Sequence, residues 1–574
     1  MKKVLLYNFV IVVLSVLFVS CKDDSPIVRK DDVTIVSATY HATYKTFTIT
    51  FSDGKTITVN AIIDNSVEPN TASATLDDGT VVYVTDANIT GKARIGSKTS
   101  GKVDEVTQFV YDGMSTYYLW ADEVVNKKPT STDVDPEKYF YKILNDIDTK
   151  HGWSWITNNV NELLSDFGGE PVDAFGFQPL PLYNDSESNV IVGFVRYVYP
   201  NTPAAKAGLK RGDVITHANG VQLTDKNFGI LYGANATTKF TVLDQDFENE
   251  RYVIITPGKI KTDPVLYNKV YEIDGKKIGY LFYTSFTENY NPSLHKAFTE
   301  FKYAGVSDLV LDLRYNPGGG ISAAIYLASL IAPIDVVRTK KAFTTMSYNN
   351  FLNKTFDSEK WDRSDYLGTY DKAYPDPVTA NINNGDLNLY VITTRSTASA
   401  SELLTFCLQP YMKVNQIGEK TSGKYTASWT LHAFNDFGGS VQPIYKDKSL
   451  SSVEKKKLEN WAMQPIVGRY TDKDGKDFIA TDGLIPNYPI AEADEYERDT
   501  RVWKPIGDVN DYLFAKAISL ITGKPYELKP MKTRSVGMPK FRETNHFSRI
   551  ETIYRNGVVI DNLNMIEPID KGGN

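Results

Sequence analysis

The chain has 574 residues, 42% of them apolar and 23% charged, with a formal net charge of −7. At roughly 150 residues per domain that allows about three to five folded units with ample material for a core, and an acidic chain without a basic run excludes a nucleic-acid partner. Two cysteines, Cys21 and Cys407, make neither a disulfide framework nor a CxxC metal site, and 36 tyrosines with 27 phenylalanines exclude a disordered chain.

Lys2 and Lys3 precede an uncharged, mostly apolar run from Val4 to Val19, followed by Ser20, Cys21 and then Lys22-Asp23-Asp24. A basic start, an apolar stretch slightly short for a membrane span and a small residue before the cysteine make residues 1–20 a signal peptide. Phe18-Val19-Ser20-Cys21 resembles a bacterial lipobox, with Phe in place of the usual Leu. The resemblance implies that Cys21 carries lipid and tethers the protein to a membrane. The acidic residues after it resemble the signal that sends some Gram-negative lipoproteins to the outer membrane surface; an acidic solvated linker has the same composition. Cys407 lies in the apolar stretch 403–408 and is expected in a core.

Residues 21–100 are rich in Thr, Val and Ile, with turns at Asp53-Gly54 and Asp78-Gly79. Period-two alternation in Phe47–Phe51 predicts hairpins in an all-β module. Residues 101–168 turn helical, over Val106–Leu119 and Pro136–Ile147, and are expected to join two domains.

In 169–262 the strand-like Val190–Val195 is followed by a short helix at Pro203–Ala207, stopped by Gly208, and a tight turn at Arg211-Gly212-Asp213. This resembles a PDZ domain of the bacterial protease-associated type. The resemblance implies that Phe175-Gly176-Phe177 cradles the terminal carboxylate of a peptide that adds as a strand. A glycine between two phenylalanines is equally a bulged strand.

Residues 263–527 alternate strands (Ile278–Phe282, Leu309–Leu313, Leu389–Thr393) with helices (Pro292–Phe301, Ile321–Ile331, and one from about Ser399), as in a layered α/β core. The stretch between Pro333 and Leu387 has little periodicity and reads as an insertion able to cover a site. Residues 528–574 read as a peripheral tail.

Three segments of this core carry chemistry. Asp312–Gly320 puts three glycines between a strand and a helix, where backbone N–H groups can face an oxyanion. Ser399-Ala400-Ser401-Glu402 has capping-box spacing. Gly418–Tyr425 nearly matches a phosphate-binding loop, but Tyr425 ends it and strand-forming residues follow, so nucleotide binding is rejected. No dinucleotide or metal motif is present, and no cofactor is expected.

Together the three segments resemble the carboxyl-terminal processing (tail-specific) serine proteases. Leu313-Arg314-Tyr315-Asn316-Pro317-Gly318-Gly319 matches one element, Ser399–Glu402 a second, and Lys424 lies 25 residues beyond Ser399 behind a PDZ-like domain. The resemblance implies a multidomain α/β protein: a crotonase-like protease core, an inserted PDZ-like β domain and an N-terminal β module, acting on protein or peptide substrates. It implies Ser399 as nucleophile, Lys424 as general base, and N–H groups of Gly318 or Gly319 and of Ala400 as the oxyanion hole. A lysine starting near pKa ~10.4 serves best near ~7–8, a drop that burial supplies.

One position departs from the family. Four residues after the lysine, where the family carries an orienting Gln, stands Ser428, whose shorter reach leaves the orientation of Lys424 open. A Ser399–His432–Asp436 triad is the competing arrangement. A catalytically weak or inactive scaffold binding peptides or apolar ligands is the competing function.

Overall fold

The computed structural model describes residues 35–569 except 66–69, 77–79, 98–102, 185–188, 234–235, 246–248, 479–482, 493–502, 526–541, 544–557 and 560–566. The leader with Cys21 and the Asp78-Gly79 turn lie outside the described residues. The chain divides into two compact units, Met1–Ser100 and Gly101–Asn574.

The first unit holds two four-stranded sheets. Along Thr46–Phe51 the residues Phe47, Ile49 and Phe51 are buried and the threonines between them are not, as the alternation predicts. Phe47 and Ile49 share a core with Ala72 and Val82 of the other sheet. The Asp53-Gly54 turn links Thr46–Phe51 to Thr56–Asn60, with Gly54 at φ +80°.

In the second unit a six-stranded sheet runs Val265–Ile273, Lys276–Tyr283, Asp308–Asp312, Asn388–Thr393, Val414–Gly418, Tyr488–Pro489. The first pair is antiparallel and the rest are parallel. Leu309, Leu311, Leu389 and Val391 face a core shared with helices Ile321–Ile331 and Ala400–Leu408. Tyr280, Phe282, Val310, Ile392 and Ile417 face the helix Tyr512–Thr522 on the other side. Covering both faces explains why these strands read as unbroken apolar runs.

Three expectations change. The helical segment is not a connector: Glu105–Tyr117 buries Phe109, Val110 and Met114 in the main core, and Trp155–Thr157 pairs with Ala462–Gln464. The helix expected over Pro136–Ile147 is two helices, Pro136–Lys142 and Asp146–His151, because the Asn145 side chain accepts from Ile147 N–H and starts the second. The 333–387 stretch is no cover. Its strand Ala342–Tyr348 pairs with Ile466–Asp472, and Phe343, Met346, Leu352 and Phe356 enter the core. Most of the tail lies outside the described residues, but Arg542–Glu543 pairs with Phe177–Tyr183, and Val558–Val559 with Ala427–Ser428.

The PDZ-like region folds as an antiparallel sheet around its own core of Phe175, Ile191, Val195, Leu209, Ile215 and Phe240. Its helix Pro203–Lys206 is capped by Thr202. From its Arg211-Gly212-Asp213 turn, the Arg211 guanidinium donates to Tyr315 Oη and Glu492 Oε1, both at 2.7 Å. Arg314, fully buried, donates to Asp312, to both oxygens of Asp511 at 2.8 Å and to Glu492 at 3.1 Å. Burial alone would raise the Glu492 pKa, but Arg211 and Arg314 outweigh it and hold it at about 2, against 4.5 for a free glutamate. A depressed carboxyl stabilises the fold fully above its unfolded pKa and loses that contribution as the pH falls through its folded one. Urea unfolding followed by circular dichroism should therefore show stability falling between pH about 4.5 and about 2. Glu492→Gln should lower stability at pH 5 and flatten this part of the profile.

Candidate active site

Three neighbouring parallel strands, Asp308–Asp312, Asn388–Thr393 and Val414–Gly418, end at the same edge of the sheet, and the three chemistry-bearing segments leave from those ends. Carboxyl ends of parallel strands are where α/β sheets form ligand sites. Backbone bonds lace the first two loops together: Asn316 C=O accepts from Ala398 N–H and Ser401 Oγ–H, each at 3.1 Å, and Leu313 C=O from Thr397 Oγ1–H at 2.7 Å. Asn316 Nδ2 donates to Tyr283 C=O at 3.0 Å.

Ser399 stands at the N-terminus of the helix Ala400–Leu408, fully buried, at φ 57° and ψ −110°. A β-carbon-bearing residue at positive φ is strained, and such strain collects at functional sites. Its N–H donates to Glu402 Oε2 at 2.7 Å. The same carboxylate accepts from Lys424 N–H at 2.9 Å through Oε2, and through Oε1 from Gly423 N–H at 2.7 Å and Thr421 Oγ1–H. Thr421 can donate there because its oxygen accepts from Leu484 N–H. Burial pushes the Glu402 pKa up and the four donors pull it down. The capping glutamate thus joins the serine and lysine segments, a role its spacing alone did not reveal. Lys424 itself is buried, 6% exposed.

Of the glycines, Gly318 gives its N–H to Asn316 Oδ1 at 2.9 Å. Gly319 at φ +141° packs so closely that a β-carbon would lie 2.2 Å from Phe286 C=O. Gly320 N–H and Phe286 N–H complete that contact, at 2.8 and 2.9 Å to Phe286 C=O and Gly318 C=O. The Gly319 N–H donates to no described group, so of the two glycines Gly319 is the one with a donor to offer. Ala400 opens the helix, where the first-turn N–H groups lack intrahelical partners.

His432 does not compete for Ser399. Its ring nitrogens lie against backbone carbonyls, Nδ1 2.7 Å from Phe434 and Nε2 3.2 Å from Glu459, and Asp436 is exposed. Cys407 is fully buried, and burial pushes its thiol up.

Two residues here carried no sequence signal. Gln464, on a strand 36 residues further on, donates from Nε2 to Ser428 Oγ at 3.0 Å. Asp148, from the N-terminal helices, accepts from Tyr118 Oη–H and Ser154 N–H at 2.8 Å. Burial raises its pKa, and the charge on Lys424 is among the influences that oppose this. In the PDZ-like region Gly176, at φ +95°, turns the chain against Thr202, where a β-carbon would lie 2.3 Å from Thr202 Cβ. The rings of Phe175 and Phe177 pack inward against Phe240, so only the backbone of this loop can meet a ligand. The irregularity in the following strand falls at Gln178–Pro179.

Glu402→Ala would leave four buried donors without their acceptor, each costing about 1–3 kcal/mol before relaxation. Urea unfolding should show a loss of at least about 3 kcal/mol, with Glu402→Gln losing less.

Residues 277–490 match the model of peptidase family S41, residues 105–155 the peptidase S41 N-terminal domain, and residues 194–228 a PDZ domain. A carboxyl-terminal-processing protease of Picosynechococcus is 30% identical over 232 residues, 39% of this chain and 49% of that protein. A protein of Staphylococcus haemolyticus named as a CtpA-like serine protease is 28% identical over 229 residues, 39% of this chain and 40% of that one. The matched region thus spans half or less of these curated relatives. A solved structure from Bacteroides fragilis, described as an S41 protease, aligns over 72% of this chain and 97% of that one, with a TM-score of 0.54 and 25% identity. The chain thus carries a peptidase family S41 domain at residues 277–490, with a match to that family's N-terminal domain and to a PDZ domain ahead of it.

Proposed function

We propose that the protein is a serine endopeptidase in which Ser399 is the nucleophile and Lys424 the general base, on a core of crotonase-like type. The observation that carries this reading is the shared oxygen of Glu402. Ser399 N–H and Lys424 N–H both reach Oε2, at 2.7 and 2.9 Å, so their backbones are no further apart than those two bonds allow. His432, the competing base, is held instead against the backbone carbonyls of Phe434 and Glu459.

The chemistry follows from the placement. The lysine is buried, and in its neutral form the amine can take the proton of Ser399 Oγ–H as the oxygen attacks a peptide carbonyl. The carbonyl oxygen gains negative charge, which the N–H groups of Gly319 and Ala400 would stabilise, assisted by the helix N-terminus. The lysine returns the proton to the departing amine. Water then attacks the acyl-enzyme carbonyl, gives its proton to Lys424, and Ser399 leaves with the proton restored.

Substrates are proteins or peptides. The PDZ domain would receive a C-terminus at the Phe175-Gly176-Phe177 backbone, consistent with its inward-packed rings and tight glycine corner. Cys21 would carry lipid and place the enzyme on the outer membrane or cell surface of a Gram-negative bacterium.

Cleavage of casein or a C-terminally tailed peptide should be lost in Ser399→Ala, with circular dichroism unchanged. Lys424→Ala should lose it nearly as fully. A Lys424 variant with full activity would sink the dyad. When the full chain is expressed in a Gram-negative host, Cys21→Ala should move the protein from the membrane to the soluble fraction; wild type in the soluble fraction would refute the anchor.

A further inference from the structure

Through the short strand Thr426–Ser428 and the residues on either side of it, the side chains alternate. Tyr425, Ala427, Trp429 and Leu431 enter the main apolar core. Lys424, Thr426, Ser428 and Thr430 face the other way, all buried. The period of two puts Thr426 and Ser428 on one face of the strand, and the alternation in burial carries on to Lys424 and Thr430 at its ends. The bulge in the pairing with Ile466–Asp472 adds its extra residue on the opposite strand, so the alternation on the lysine side is kept.

Gln464 meets this face from the neighbouring sheet. It is 2% exposed and ends the strand Ala462–Gln464, which pairs with Trp155–Thr157 of the N-terminal domain. Its carboxamide has a defined partner at each end: Thr430 Oγ1–H donates to Oε1 at 2.9 Å, and Nε2–H donates to Ser428 Oγ at 3.0 Å. The Ser428 oxygen thus takes a hydrogen bond from outside its own strand. Between it and the lysine in sequence, Thr426 Oγ1 is buried with no described partner.

We infer that Gln464 is a positioning residue for Lys424, acting through Ser428: it supplies from another strand the carboxamide that position 428 lacks. A serine there is too short to order the lysine face alone. Clamped by Gln464, which Thr430 holds in turn, it becomes a fixed polar group on that face. The N-terminal domain takes part, because Trp155–Thr157 is the strand partner of the glutamine. This inference rests on the Ser399–Lys424 reading.

The test is the rate at which a fluorophosphonate probe labels Ser399, measured against pH in the full chain. Gln464→Ala and Ser428→Ala should each label roughly three- to tenfold more slowly, with a displaced pH profile, and should not be additive when combined. Gln464→Ala vacates the space that a longer side chain at 428 needs, so adding Ser428→Gln to it should recover most of the loss. If Gln464→Ala does not fold, Thr430→Val removes only the hydroxyl that holds Oε1 and should give the same displacement. A wild-type rate and profile in the Gln464 or Thr430 variant, additive losses, or no recovery with Ser428→Gln overturns the inference. So does a fall in stability that leaves the pH profile of labelling unchanged. Wild-type protein that does not label at Ser399 is a separate result: it refutes the nucleophile itself, and the positioning role with it.

Discussion

The site depends on a single buried carboxylate. Glu402 accepts four hydrogen bonds, and they come from two chain segments that are otherwise held by separate strands. A charge taken out of water is costly unless donors surround it, and here all four come from backbone or from a threonine that is itself fixed. The requirement that this carboxylate be satisfied locks the loop 421–424 against the start of the helix Ala400–Leu408. It also allows Ser399 to persist at a positive φ, because strain of this kind survives only where its surroundings over-determine it.

Around that point the loops are ordered by other buried polar groups, each with its partners inside the protein. Asn316 ties the glycine loop to the serine loop and to the strand Lys276–Tyr283. Arg314, two residues earlier, is neutralised by Asp312 and Asp511, and Glu492 is shared between Arg314 and Arg211 of the PDZ domain. A displacement of the Arg211 turn would have to break contacts with Tyr315 and Glu492, which lie beside the glycine loop. The PDZ domain and the glycine loop are therefore mechanically joined, and the joint is ionic. Ionic joints of this kind favour definite geometry more than net stability.

The N-terminal helices serve the same end from the other side. They bury Phe109, Val110 and Met114 in the main core, and they bring Asp148 into electrostatic range of Lys424. Their strand Trp155–Thr157 pairs with the one that carries Gln464. The segment 424–430 is thus met by residues from three regions that are far apart in the chain, Asp148, Glu402 and Gln464.

The sequence by itself determined most of the elements and the segments proposed to react. Apolar runs marked strands buried on both faces, Gly208 and the Asp53-Gly54 turn marked chain reversals, and the order of the glycine loop, Ser399–Glu402 and Lys424 marked the chemistry, because these signals are local. Tertiary structure decided what depends on neighbours remote in sequence. It committed Gly318 N–H to Asn316 and left that of Gly319 to offer, removed His432 from contention, and made a core layer of a stretch that lacked periodicity because its partners lie more than 100 residues away. It also brought Gln464 to Ser428. Hydrogen-bond partners across strands follow from register, and register in this protein is set by the packing of the whole core.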